Sequence, residues 1–93
     1  NLERTKRGLP ALTVDTRIAH AANDHAKQMA TRSEVIGDKA AHNHSLYGVW
    51  RPTVSTRFDY SGFEYRASRE NIAYGYKTAA AVVTAWMNSE GHR

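Results

Sequence analysis

The sequence contains no cysteine, so neither a disulfide nor a thiolate zinc site can support its fold. No apolar run approaches the roughly 20 residues that a membrane-spanning helix needs. The first seven residues are mostly polar or charged and do not resemble a secretory signal, although earlier removal of a signal leaves secretion open. The six glycines are dispersed and form no phosphate-binding loop, and no Gly-x-Ser-x-Gly elbow is present. These absences exclude cysteine nucleophiles and argue against phosphate-loop and serine-elbow chemistry.

The size and charge of the chain indicate one small domain over residues 1–93. Hydrophobic residues make up 41% of the sequence and charged residues 24%, and both values suit a soluble globular domain. The formal net charge is +4, yet only Arg4, Lys6 and Arg7 form a tight basic cluster. Most other positive charges are scattered among acids, so we expect a solvated basic surface and no nucleic-acid partner.

Helical periodicity and capping residues recur along the chain. Gly8 ends an initial helix, Asp15 is a good N-cap for the second, and Thr78 caps the last. Small and apolar residues at helical spacing follow both caps. We predict helices over residues 1–7, 16–31, 53–58 and 79–88.

Residues 31–57 show no clean period and are punctuated by glycine, asparagine and proline. They are predicted to form an irregular loop with short helical turns. A loop of this length is uncommon in a compact domain and is often functional. It contains His42 and His44.

The stretch at 69–75 is predicted to be a strand, because isoleucine and tyrosine favour extended backbone and Gly75 offers a turn. In a strand, Glu70, Ile72 and Tyr74 share one face, and Asn71 lies on the other. The carboxylate then stands on the same side as two large side chains. A lone strand has no partner to pair with, which indicates that the chain is cut short at its C-terminal end.

Among the five histidines, His44 and His92 are the candidates for chemistry. His25 lies in a core-facing helical stripe and is interpreted as structural, and His20 is expected on a helix surface. If Ser89 caps a final helix, the positive helix end favours neutral imidazole at His92, the form that binds metal or accepts a proton.

Two imidazoles and a carboxylate are a known ligand set for catalytic zinc. We therefore expect the chain to bring His44 and His92 beside Glu70. From spacing alone this signal is weak, because the chain has no His-Glu-x-x-His pair.

Seven of the aromatic residues concentrate in the middle of the chain. Core packing accounts for most of them, and the alternative is that some line an apolar groove for a lipid or a peptide. Tyr74 and Asn71, beside Glu70, are the candidate ligand-binding residues.

Several motifs together resemble the bacterial branch of the CAP superfamily, which covers cysteine-rich secretory proteins, antigen 5 and pathogenesis-related proteins (SCP-like domains). Residues 4–15 read Arg-x-x-x-Gly-Leu-Pro-Ala-Leu-x-Val-Asp, and residues 21–30 read Ala-Ala-x-x-His-Ala-x-x-Met-Ala. His44-Ser45, Glu70-Asn71-Ile72-Ala73-x-Gly75 and Trp86-Met87-x-Ser89-x-Gly91-His92-Arg93 follow. The order and spacing of these motifs match over nearly the whole chain.

This resemblance implies an α+β fold, a CAP-type α-β-α sandwich with a cleft that holds a His/Glu/His cluster. The chain is expected to be mostly helical, because the family's last strands follow the Gly-His-Arg motif and are missing here. His44, Glu70 and His92 match the cluster and are the expected ligands of a divalent metal, with zinc as the candidate. An open sheet edge would invite self-association.

Three positions depart from the family pattern. A second glutamate, three residues after the tryptophan in fuller members, is replaced by Ser89. The usual proline before Gly91 is replaced by Glu90. Leu46–Val54 has no pattern that can be aligned.

The resemblance leaves the choice between enzyme and binding module open. The favoured hypothesis is a secreted or cell-envelope module whose cleft binds a divalent metal and a small apolar ligand or peptide. The alternative is a metal-dependent hydrolase, a peptidase, with Glu70 as general base. An interaction domain with a vestigial cluster ranks third.

Overall fold

Helices joined by irregular segments make up the fold in the computed structural model, which describes residues 1–46, 48 and 51–93. The helices of these residues are α1 (Leu2–Lys6), α2 (Thr16–Ile36), α3 (Asp38–Ala41), α4 (Val54–Ser61) and α5 (Ala79–Met87). The predicted helices at 1–7, 53–58 and 79–88 are thereby confirmed to within a few residues. None of the described helices is both long and apolar enough to cross a bilayer.

Helix α2 is the longest element and packs against α3 and α4. Asp15 caps it as predicted, since its carboxylate accepts a hydrogen bond from the backbone N–H of Arg17. The predicted end at residue 31 was wrong. Residues 32–36 contain neither glycine nor proline, and the helix ends only at Gly37, whose φ of 85° takes the backbone out of the helical region.

The predicted loop at 31–57 contains the end of α2, the short helix α3 and the start of α4. Helix α4 begins with a capping box between Thr53 and Thr56 and ends at Gly62, a left-handed residue with φ 76°. Tyr47, Val49 and Trp50 lie outside the described residues. The expectation of short helical turns within this loop is met by α3.

The predicted strand at 69–75 is not a strand in the structure, because no segment of the described chain pairs with it. Side chains hold the segment instead. The Trp86 indole N–H donates to the Ile72 carbonyl at 3.3 Å, and the Asn71 amide donates to the His92 carbonyl at 2.8 Å. The segment thus lies against α5 and the C-terminal turn.

Ser89 does not cap a helix. Residues 90–92 form a turn in which the backbone N–H groups of His92 and Arg93 donate to the Ser89 carbonyl. The Ser89 hydroxyl instead bonds Nδ1 of His92 at 2.7 Å.

The hydrophobic core of the described residues is small and lies where α2, α3 and α4 meet. Its buried members are Ala21, Ala41, Leu46 and Phe58. A domain of this size is expected to have a modest core. The helical part of the predicted fold is confirmed, whereas the described residues contain no strand from which an α-β-α sandwich could be built.

Candidate functional site

A hydrogen-bonded pair formed by His44 and Glu70 is the centre of the candidate site. His44 follows α3, and Glu70 lies in the irregular segment after α4, 26 residues further along the chain. Nδ1 of the imidazole lies 2.8 Å from Oε1 of the carboxylate. Because an ionised carboxylate only accepts, Nδ1 carries the proton in this contact and Nε2 is left as the second ring nitrogen. The His44 side chain is about half exposed.

Arg57, the fourth residue of α4, contacts both members of this pair. It is 1% exposed, and its Nη2 lies 3.0 Å from Oε2 of Glu70 and 3.3 Å from Oε1. The same nitrogen donates to the backbone carbonyl of His44 at 3.1 Å. One buried guanidinium therefore holds both partners of the His44–Glu70 pair.

His25 supports the same loop from α2. It is buried, and Nε2 lies 2.9 Å from the carbonyl of Asn43, so Nε2 donates and the residue before His44 is anchored. Its Nε2 also lies 3.9 Å from Oε1 of Glu70. Burial, with the Arg57 cation in second place, lowers the pKa of His25, and the Glu70 anion opposes that shift in part. His25 is therefore buried, as predicted, and its ring lies at the edge of the site.

His92 forms its hydrogen bonds with residues outside the pair. Its ring bonds Ser89, and its backbone carbonyl accepts from Asn71. The described residues show no ion pair between His92 and Glu70, and they contain no group of three histidine, aspartate or glutamate side chains arranged to hold a metal ion.

Among the described residues, the three expected metal ligands are not grouped so that they could hold one metal ion. Glu70 bonds Arg57 and His44 through its two oxygens, and His44 and His92 both use Nδ1 in their hydrogen bonds, so Nε2 is the ring nitrogen that each could offer to a metal. A zinc site needs three protein ligands that converge on one point with free donor atoms. The structure assembles two of the three predicted residues into a hydrogen-bonded pair rather than a ligand set.

An open groove of about 440 Å³ lies between the 72–76 segment and α5. Its walls are mostly aromatic and aliphatic, with two imidazoles and a hydroxyl among them. The lining residues are His42, Ile72, Ala73, Tyr74, Tyr76, Ala85, Trp86, Ser89 and His92.

Tyr74 and His42 divide this groove from a neighbouring one. Their rings meet edge to face with centroids 4.9 Å apart. The second groove, about 290 Å³, runs along α2 on the other side and is lined by Met29 and several alanines as well. Tyr74, which was predicted to bind ligand, therefore lines both grooves. Asn71, the other predicted ligand-binding residue, donates a hydrogen bond from its side-chain amide to the His92 carbonyl.

Sequence reasoning missed Arg57 and gave His42 no role of its own. Arg57 lies in the short predicted helix at 53–58, where a single arginine has no local pattern that distinguishes it from a surface cation. Its burial follows only from the packing of α4 on α2. The sequence marks His42 only as one of the two histidines of the predicted loop.

Comparisons with known proteins agree over the whole chain. A family model described as CAP, the cysteine-rich secretory protein family, matches residues 1–93. Two relatives from Bacillus subtilis (strain 168) align with all of it. They are the uncharacterized protein YkwD, 38% identical over 96 residues, and the uncharacterized membrane protein YlbC, 32% identical over 93 residues. The chain spans 33% of the first relative and 24% of the second. No solved structure matches it.

Proposed function

Because the chain belongs to the cysteine-rich secretory protein (CAP) family, we propose that it is a secreted or cell-envelope recognition module that binds a small apolar ligand or peptide. The resemblance drawn from its motifs is thus confirmed at the level of the family. The activity and location of the whole protein are proposals, since the chain spans a third or less of these relatives.

The observation that carries the proposal is the groove between the 72–76 segment and α5. Ligand sites are concave, largely apolar and furnished with a few polar groups that orient the ligand. Here Ile72, Tyr74 and Trp86 supply apolar surface, and the imidazoles of His42 and His92 supply polar contacts. Tyr74 remains 48% exposed, so its ring is accessible to a ligand.

The Trp86–Ile72 hydrogen bond supports the shape of the groove. It ties one wall, α5, to the other wall, the irregular segment. Asn71 does the same for the C-terminal turn that carries His92. We therefore assign ligand contact to Tyr74 and a positioning role to Asn71.

The second candidate function is a hydrolase of the peptidase class. The 2.8 Å bond between His44 and Glu70 favours it, because a carboxylate that orients an imidazole is a recurrent element of acid–base catalysis. Glu70 as general base with a divalent metal on His44 and His92 stays a prediction, since these three side chains form no ligand set here.

A binding titration with the fluorescent fatty acid cis-parinaric acid tests the module. We expect saturable binding that Tyr74→Ala weakens at least fivefold. Tyr60→Ala is the matched control, because Tyr60 is 61% exposed and lies outside the groove lining. Absence of saturable binding, or equal losses in both variants, contradicts the proposal.

A peptide-cleavage assay separates the second candidate. Turnover of a casein digest by the wild-type chain, lost in Glu70→Gln, would establish the hydrolase instead. Zinc binding compared between the wild type and a His44→Ala, His92→Ala double variant reports separately on the predicted metal ligands.

A further inference from the structure

The carboxylate of Glu70 is engaged on both of its oxygens by groups of this chain. Oε1 faces the ring of His44, and Oε2 faces the guanidinium of Arg57. Arg57 also reaches Oε1 at 3.3 Å, so its positive charge lies across the whole carboxylate. The carboxylate of Glu70 therefore already has a cationic partner, unlike a carboxylate that is free to bind a metal ion.

Arg57 is poorly able to leave this position. It is almost completely buried, and the described residues offer its other terminal nitrogen, Nη1, no hydrogen-bond partner. A buried guanidinium that gave up Glu70 would lose its counter-charge, which is among the costliest changes in a protein interior. The contact is therefore maintained by burial as well as by attraction.

We propose that Arg57 excludes divalent cations from the His44–Glu70 pair. Zinc binds a carboxylate oxygen at about 2.0–2.2 Å. With Nη2 3.0 Å from Oε2, a zinc ion on this carboxylate would lie close to a fixed positive charge. Repulsion between these like charges opposes binding of the ion.

The His44–Glu70 bond then has a positioning role. Arg57 orients Glu70, Glu70 orients the imidazole of His44, and the carbonyl of His44 returns to Arg57. This inference goes beyond the proposed ligand binding and does not depend on it. Glu70 and Arg57 are absent from the lining of the groove between the 72–76 segment and α5.

The test is a calorimetric zinc titration of the purified chain at pH 7, with folding of each variant checked by circular dichroism. Wild-type protein should bind zinc weakly at this pair. Arg57→Met should bind it at least tenfold more tightly, because the repelling charge is gone. The gain should vanish in Arg57→Met, Glu70→Gln, which removes the carboxylate as well.

Two further variants separate charge from general disruption. Arg57→Lys keeps the positive charge and should stay as weak as the wild type. Arg51→Met removes an arginine from another partly buried pair, with Asp24, and should change zinc affinity less than twofold. A gain in Arg57→Lys equal to that in Arg57→Met, or no gain in a folded Arg57→Met, overturns the proposal.

A wild-type structure determined with zinc decides the question even if Arg57→Met does not fold. Glu70 still on Arg57, with no metal on the carboxylate, supports the exclusion. Zinc at about 2.0–2.2 Å from a Glu70 oxygen overturns it. Neither outcome depends on whether cis-parinaric acid binds, so failure of this inference and failure of the proposed function are distinguishable.

Discussion

The guanidinium of Arg57 bridges Glu70 and the backbone of His44, with Nη2 3.0 Å from Oε2 and 3.1 Å from the His44 carbonyl. This one contact joins α4, the loop after α3 and the irregular segment that carries Glu70. It connects the stability of the domain with the geometry of its candidate site.

Removing Arg57 should destabilise the domain strongly. Breaking one side of a buried ion pair typically costs 3–5 kcal/mol, and we expect about 3 kcal/mol for Arg57→Met because the Glu70 side chain is 21% exposed. Urea unfolding followed by circular dichroism measures the change. The double variant Arg57→Met, Glu70→Gln should be less destabilised than Arg57→Met, since it leaves no unpaired charge. A double variant at least as unstable as the single one would show that the charge is not the cause.

Stability should fall on mild acidification because of His25. Its pKa is lowered in the folded state by burial, so the unfolded chain binds a proton more readily. Neutral His25 makes its full contribution to stability above the pKa of the unfolded chain, about 6.5. This contribution is lost as the pH falls from there through the lower pKa of the folded state.

Urea unfolding at pH 7.5 and pH 5.5 checks this prediction. The wild type should lose more stability between the two values than His25→Gln does. Arg57, Glu70 and His44 face His25 and remain in both proteins, so the difference isolates the imidazole. Identical losses in the two proteins would assign the pH dependence to another group.

The capping box of α4 should make a measurable contribution to stability. The Thr53 hydroxyl accepts from the N–H of Thr56, and the Thr56 hydroxyl accepts from the N–H of Thr53. Thr53→Ala should cost about 0.5–2 kcal/mol in urea unfolding. Thr53→Ser keeps the oxygen and should cost much less. Equal effects of the two substitutions would place the contribution in the lost methyl group.

Gly62 should be sensitive to substitution for reasons of backbone conformation alone. Its φ is 76°, and a methyl group added there would meet no atom within 4 Å. Gly62→Ala should therefore destabilise the domain by about 1–2 kcal/mol through left-handed strain. Gly91→Ala, equally open but without a positive φ, is the matched control. A loss in Gly91→Ala as large as that in Gly62→Ala would remove this explanation.

Local sequence signals determined where the main helices begin and which family the chain belongs to. Asp15 and Thr78 satisfy backbone donors within their own first turns, and the apolar period needs no distant partner to be recognised. The expected family followed from motifs spread along the chain, each readable in order. The expected strand at 69–75 was wrong for the described chain, since a strand depends on a second segment that pairs with it.

Only the tertiary structure decided which charges meet at the candidate site. Arg57 has no local pattern that marks it as buried, because its environment arises from the packing of α4 on α2. His92, equally prominent in the sequence, turns to Ser89 instead of Glu70. Electrostatic partners separated by many residues depend on how elements pack in three dimensions, and that arrangement is not encoded in the spacing of either residue alone.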